Sequence, residues 1–222
     1  MTATRERAIN LRDWEVRAIQ AGRLKMLVRP VKPQPVSPGD GAYFDAYNGG
    51  PEWTWWTPDN RQYLSQIIRC PYGKAGDRLR GREAWQSVPF GPHRDWPGCP
   101  DLRPRKTCEL NRARVVIWRA DGEMPGPEIW RPSIHMPRWA VRNWLEITDV
   151  RCGRVREMSQ DDAIAGGVSP SHPSIDKVSR EFGYPDFSRS MRAQIYEMDY
   201  GEGAWERDWV WMIGVKRIEV AS

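Results

Sequence analysis

The sequence predicts an α+β domain built on a small, mostly antiparallel barrel or sheet. Apolar alternation or short apolar runs mark strands near residues 76–88, 115–118, 142–150 and 209–218. Separate 3.6-residue periodicities mark helices near 10–21, 159–166 and 188–198. No internal repeat, low-complexity tract or clear linker divides the 222 residues, and that length suffices for one sizeable core.

Residues 1–9 read as a loose, charged start. Asn10 as cap, with Asp13 three residues later, opens the first helix, and Leu11, Trp14, Ala18 and Ala21 share a face. Gly22 ends it, because glycine takes the left-handed conformation that satisfies the last helical carbonyls. The segment from Arg23 to Pro30 is cationic and apolar at once. Residues 30–69 and 87–112, broken by proline and glycine, read as loop insertions that either cover a site or carry one. The Trp53, Trp55 and Trp56 cluster packs the first insertion onto the body or stacks a base.

After the Gly76-Asp77 turn, alternation places Leu79, Gly81, Glu83 and Trp85 on one face and Arg78, Arg80 and Arg82 on the other. If the first face is internal, Glu83 must be paired, hydrogen-bonded or raised in pKa, since an isolated buried charge is too costly. The arginine stripe is a solvated face or a phosphate track. Val115–Trp118 forms a short strand, closed by the Ala120-Asp121-Gly122 turn. Residues 130–139 are too proline-broken for a helix or central strand. They form a packed crossing segment or a pocket wall, with His135 either structural or a ligand contact.

The strand from Arg142 to Val150 sets Leu145 and Ile147 against Trp144, Glu146 and Thr148. Ser159 and Asp162 make a capping box for a short helix that stops at Gly166-Gly167. Residues 168–186 read as loop. The helix from Ser188 to Met198 is expected to bury Phe187, Met191, Ile195 and Met198, and Trp209–Ile218, apolar on both faces, to lie inside a sheet.

Thirty-four Lys and Arg against 29 Asp and Glu give a net charge of +5 and favour an anionic partner. Arginine forks, 13 Trp and 7 Tyr supply phosphate contacts and stacking faces, although core filling is the role expected of most tryptophans. Cys70, Cys99, Cys108 and Cys152 form no C-x-x-C pair, so reduced thiols and a cytoplasmic protein are expected. His93, Cys99 and Cys108 match no standard zinc spacing, and neither a metal nor another cofactor is expected. No apolar run reaches membrane-spanning length.

Particular stretches carry a resemblance. They are Gly22-Arg23 with Arg29, Val31-Lys32-Pro33-Gln34-Pro35, Cys70-Pro71-Tyr72-Gly73, Gly76-Asp77-Arg78-Leu79, Arg82-Glu83 with Trp85, Arg119-Ala120-Asp121-Gly122, Pro132 through Ala140, and Trp209-Val210-Trp211. Together they resemble the ASCH-domain proteins found in phages and prophages, over nearly the whole chain. Pro132 to Ala140 is the most specific piece. The resemblance implies a PUA-like fold, a small β-barrel with flanking helices and a cleft. It also implies a phage protein working in the host cytoplasm.

The wider group is associated with RNA or nucleotide binding and with ribonuclease activity, and certain small members are amidohydrolases that deacylate N4-acetylcytidine. In those hydrolases a G-x-K-x-x-T-x-R pattern acts with a Glu from a later strand. Gly22 and Arg29 are retained here and Glu83 matches the carboxylate, but the Lys position is Leu24 and the Thr position Leu27. Leucine neither attacks a carbonyl nor takes a proton. Lys25, displaced by one residue, turns to the opposite face of an extended segment.

The function expected is therefore binding of RNA, single-stranded nucleic acid or a modified nucleotide in a basic cleft. Lys25, Arg29 and Lys32 would meet phosphate, and Trp85 or Trp139 would offer a stacking face. Arg23, Arg119, His135, Arg138 and Arg142 would complete the surface, and Glu83 would accept from an exocyclic amine. Two further readings are a residual hydrolase acting through Glu83 and an interaction protein that blocks or diverts a host factor through its Trp- and Arg-rich insertions.

Overall fold

Trp209–Ile218 is hydrogen-bonded to a strand on each edge, and its two apolar faces are buried in different clusters, Trp211, Ile213 and Val215 in one and Val210 and Met212 in the other. The computed structural model describes residues 4–37, 42–47, 52–57, 59, 62–89, 114–122, 129–170, 173–181 and 186–219. In chain order the elements are β1 (Glu6–Asn10), α1 (Asp13–Gln20), β2 (Met26–Pro30), β3 (Tyr43–Ala46), β4 (Glu52–Trp56), β5 (Gln62–Arg69), β6 (Arg78–Arg82), β7 (Trp85–Pro89) and β8 (Arg114–Trp118). There follow β9 (Asn143–Arg154), α2 (Gln160–Ala165), α3 (Pro173–Glu181), α4 (Phe187–Tyr200), α5 (Ala204–Arg207) and β10 (Trp209–Ile218). The fold is α+β with mixed sheets.

The main sheet has the order β1-β6-β9-β10-β2, antiparallel except for the parallel β1–β6 pair. Its two ends, β1 and β2, are not hydrogen-bonded as strands, yet Arg29 on β2 donates from Nη2 to the Asn10 carbonyl on β1 at 3.0 Å. The sheet therefore curls until its edges lie within one arginine side chain of each other. Inside the curl, Leu27, Leu79, Leu145, Ile147 and Ile213 are buried together, covered by Val16 and Ile19 of α1.

Local chemistry explains α1 and the turn after it. The helix begins later than the Asn10 cap predicts, at Asp13, because Asn10 stays in β1 and the Glu15 carboxylate accepts the Arg12 backbone N–H at 2.9 Å. Gly22 takes φ 69°, and the N–H groups of Arg23 and Leu24 both return to the Ala18 carbonyl. The turn drives Leu24 and Leu27 under α1, into the core rather than to the edge of a cleft.

Several segments differ from their sequence reading. Residues 6–10 are a strand, and their charge suits an edge position. The 30–69 stretch carries the three-stranded sheet β3-β4-β5, and residues 85–89 pair with β8 as a ribbon; residues 90–112 lie outside the described residues. Trp53 and Trp55 are buried and pack edge-on against Trp211 and Trp209, which decides for packing over base stacking. Helix α3 occupies part of the expected 168–186 loop.

On α4 the buried face is Ser188, Arg192 and Tyr196, one position round from the expected stripe, and Met198 is 82 % exposed. On that face Tyr196 fills the core and donates its hydroxyl to Asp208, and the Arg192 guanidinium packs over the Trp14 ring. The capping box at Ser159 and Asp162, the faces of β9 and the interior place of β10 follow the pattern read from the sequence. No helix among the described residues is long and apolar enough to cross a membrane.

Candidate functional site

A cavity of about 940 Å³ opens where the two ends of the main sheet meet. Its wall comprises the end of β1 and the start of α1 (Ala8 to Asp13), the end of β2 with Lys32, the Pro71-Tyr72 turn, Arg82 and Ala84, Arg119, the Trp130–Ser133 segment, and Tyr200 on α4. Six cationic side chains line it, Arg12, Arg29, Lys32, Arg82, Arg119 and Arg131, against one carboxylate, Asp13.

Those cations divide into two sets. Arg29 donates to both oxygens of Glu15, at 2.7 and 2.9 Å, and also to the Val28 and Asn10 carbonyls. Burial opposes charge on this guanidinium, but Glu15 more than offsets that and raises its pKa. Arg12 pairs with Asp199 at 2.8 Å and lies over the Tyr200 ring, and Arg119 pairs with Asp13 at 2.6 Å. These three are already neutralised.

The second set faces no carboxylate among the described residues. Arg82 donates to the Asn10 side-chain oxygen and the Ile134 carbonyl, and the Arg131 guanidinium rests over the Trp85 ring at 5.2 Å. Lys32 is exposed and its ammonium makes no ion pair with another described residue. A cavity with three uncompensated cations beside Tyr72, Trp130 and Tyr200 is suited to an anion attached to a flat or apolar body.

The residues singled out from the sequence scatter around this cavity. Arg29, Lys32 and Arg119 line it, although of these three only Lys32 is left without a charged partner among the described residues. Lys25 and Arg23 are exposed beyond α1, where Arg23 reaches the Gly167 carbonyl. Trp85 is 4 % exposed, in a small cluster with Met136, Ala140 and Val141, so it supports other groups instead of offering a face. Arg138 is exposed but held by both oxygens of Glu6. His135 is exposed, and Trp139 leaves 46 % of its surface open.

Glu83 departs from the substrate-contacting role and meets the other expectation, that an internal carboxylate at this place is paired. Its neighbours Arg82 and Ala84 line the cavity, while its own side chain is 0 % exposed on the other side of the chain. There it accepts from Arg142 Nε and Nη2, at 2.9 and 2.8 Å, and from Asn143 at 2.9 Å. Burial pushes its carboxyl above the ordinary range, against the opposite pull of Arg142 and Asn143. Arg142 also grips Asp121 and packs over Trp118, which leaves it no free donor face for a ligand. The pair is a buried structural bridge.

Sequence reasoning missed Arg12, Tyr72 and Tyr200 as cavity residues. Their signal is tertiary, because three distant segments meet only when the sheet curls. Both readings of residues 130–139 are realised at once: Trp130 to Ser133 form a cavity wall, while Met136 and Ala140 pack against Trp85. His93, Cys99 and Cys108 lie outside the described residues, and among the described ones no His, Cys, Asp and Glu group is arranged to hold a metal. Cys70 and Cys152 are free thiols, pushed up by burial to about 11 and about 12. Compared with protein-family models, curated proteins and solved structures, the chain matches none.

Proposed function

We propose that this chain is a phage-type ASCH-like protein with a PUA-like curled sheet, whose cavity binds RNA, single-stranded nucleic acid or a nucleotide through its phosphate. One observation carries the reading: Lys32, Arg82 and Arg131 line a single cavity without carboxylate partners among the described residues, beside Tyr72 and Tyr200. Arginine forks and a lysine point charge are the usual phosphate donors, and the tyrosines supply rings for a base or sugar. The bridge from Arg29 to Asn10 across the two sheet edges supports the barrel-like curl. The cavity volume is of the order that encloses one nucleotide.

The hydrolase reading loses its main residue. A general base needs reach to a substrate water, and Glu83 is sealed behind Arg142 and Asn143. Fluorescence anisotropy with labelled single-stranded RNA, single-stranded DNA and 5′-mononucleotides tests the proposal. Affinity should fall steeply between about 50 mM and about 200 mM salt, and a Lys32→Glu/Arg131→Glu variant should abolish it. Absence of binding to every one of these probes at low salt removes the proposal.

A further inference from the structure

We infer that the ligand is a single-stranded polynucleotide, with one nucleotide in the cavity and the neighbouring base stacked on Trp139. The inference rests on the reading of the cavity as a phosphate site. It starts from Arg131, which belongs to the cavity wall and lies over the Trp85 ring at 5.2 Å. Trp85 in turn meets Trp139 edge to face, with centroids 6.2 Å apart and planes at 84°. Trp139 is therefore two ring contacts from the cavity rim.

The two tryptophans differ in what they can do. Trp85 is buried and its backbone is hydrogen-bonded both ways to Arg131, so it fixes the segment. Trp139 is braced by that buried ring and keeps 46 % of its own surface open. A large aromatic held in one orientation before a ligand arrives loses little freedom on binding, and stacking accepts any base.

The cation that links the two places is Arg131, exposed and without a carboxylate partner among the described residues; Arg138 beside Trp139 is already held by Glu6, and Arg82 ties this segment to the cavity by donating to the Ile134 carbonyl. A mononucleotide would occupy the cavity and leave Trp139 untouched. A continuing strand would cover the ring, with the linking phosphate near the exposed Arg131.

Titration of the whole chain with hexauridylate, hexathymidylate, uridine 5′-monophosphate and thymidine 5′-monophosphate tests this. The hexamers should bind at least about tenfold more tightly than the mononucleotides. Trp139→Ala should remove that advantage and leave mononucleotide affinity unchanged, while Trp139→Phe retains part of it with a melting temperature close to the parent's. A ribose-only or deoxyribose-only advantage that depends on Trp139 supports the inference and identifies the strand type. Equal binding of hexamers and mononucleotides, or a hexamer affinity indifferent to Trp139→Ala, overturns the inference and leaves the phosphate site standing. If no probe binds, the reading of the cavity falls, and the inference with it.

Discussion

Arg142 donates two hydrogen bonds to the fully buried Glu83 carboxylate, at 2.9 and 2.8 Å, and turns its remaining nitrogen toward Asp121. A carboxylate so enclosed is an anchor between the end of β6 and the start of β9. Removing one charge of a buried pair strands the other, which typically costs about 3–5 kcal/mol. Here burial already holds the Glu83 carboxyl above its ordinary range and Arg142 keeps Asp121, so Glu83→Gln should cost less than that, about 1 kcal/mol for the exchanged hydrogen bonds. Urea denaturation checks this, and anisotropy should show nucleic-acid affinity unchanged in the variant at temperatures where it stays folded.

Glu15 and Arg29 close the gap between the two sheet edges, and their pairing predicts a pH dependence. Burial alone would raise the Glu15 carboxyl, but the charge and hydrogen bonds of Arg29, with the Arg12 N–H, outweigh it and hold the pKa below the ordinary 4.5. A carboxyl lowered in the native state contributes stability that is fully present above its unfolded value. That contribution is lost as pH falls through the lowered native value. Stability measured between pH 7 and pH 2 should therefore decline below about 4.5, and Glu15→Gln should flatten that part of the curve while lowering the plateau.

What the sequence makes legible follows from how local the cause is. Gly22 and the Ser159–Asp162 box act through their own few bonds, so the stop and the start they mark are found where expected. The faces of β9 follow from period-two burial. The inward face of α4 holds Tyr196, bonded to Asp208, and Arg192, set over Trp14, and no periodicity of α4 contains those distant partners. At the site, the positive balance of Arg and Lys was visible, but its division was not. Which cations are neutralised depends on Glu15, Asp199 and Asp13 arriving from elsewhere in the fold.

Gly81 sits where β6 passes beneath Leu11. A Cβ there would come within 2.6 Å of a Leu11 methyl and 2.9 Å of the Asn143 backbone oxygen. The methyl can turn aside, but the backbone of the paired strand cannot. Gly81→Ala should destabilise by about 2 kcal/mol, the cost of overpacking a filled core, as read from the shift in urea midpoint at constant slope.

Arg82 contributes a guanidinium to the cavity and also tethers Asn10 and Ile134. If it meets phosphate, Arg82→Gln should weaken binding evenly across base sequences and reduce the slope of log affinity against log salt by about one. A loss confined to one base sequence, with the salt slope unchanged, would make Arg82 a base reader instead.

Restoring the hydrolase pattern by Leu24→Lys with Leu27→Thr tests the relation between motif and fold. Both leucines are buried beneath α1, and Leu27 is 0 % exposed. Threonine at 27 would lose most of a buried leucine's contacts and bring a hydroxyl into an apolar setting, at a cost of about 3 kcal/mol or more. Neither new side chain would reach the cavity, whose wall contains neither position. The double variant should therefore melt well below the parent and deacylate N4-acetylcytidine at the buffer rate. Turnover above that rate, lost again in the same background on Glu83→Gln, would mean that α1 lifts to admit substrate beside Glu83, and would return the chain to the hydrolase class.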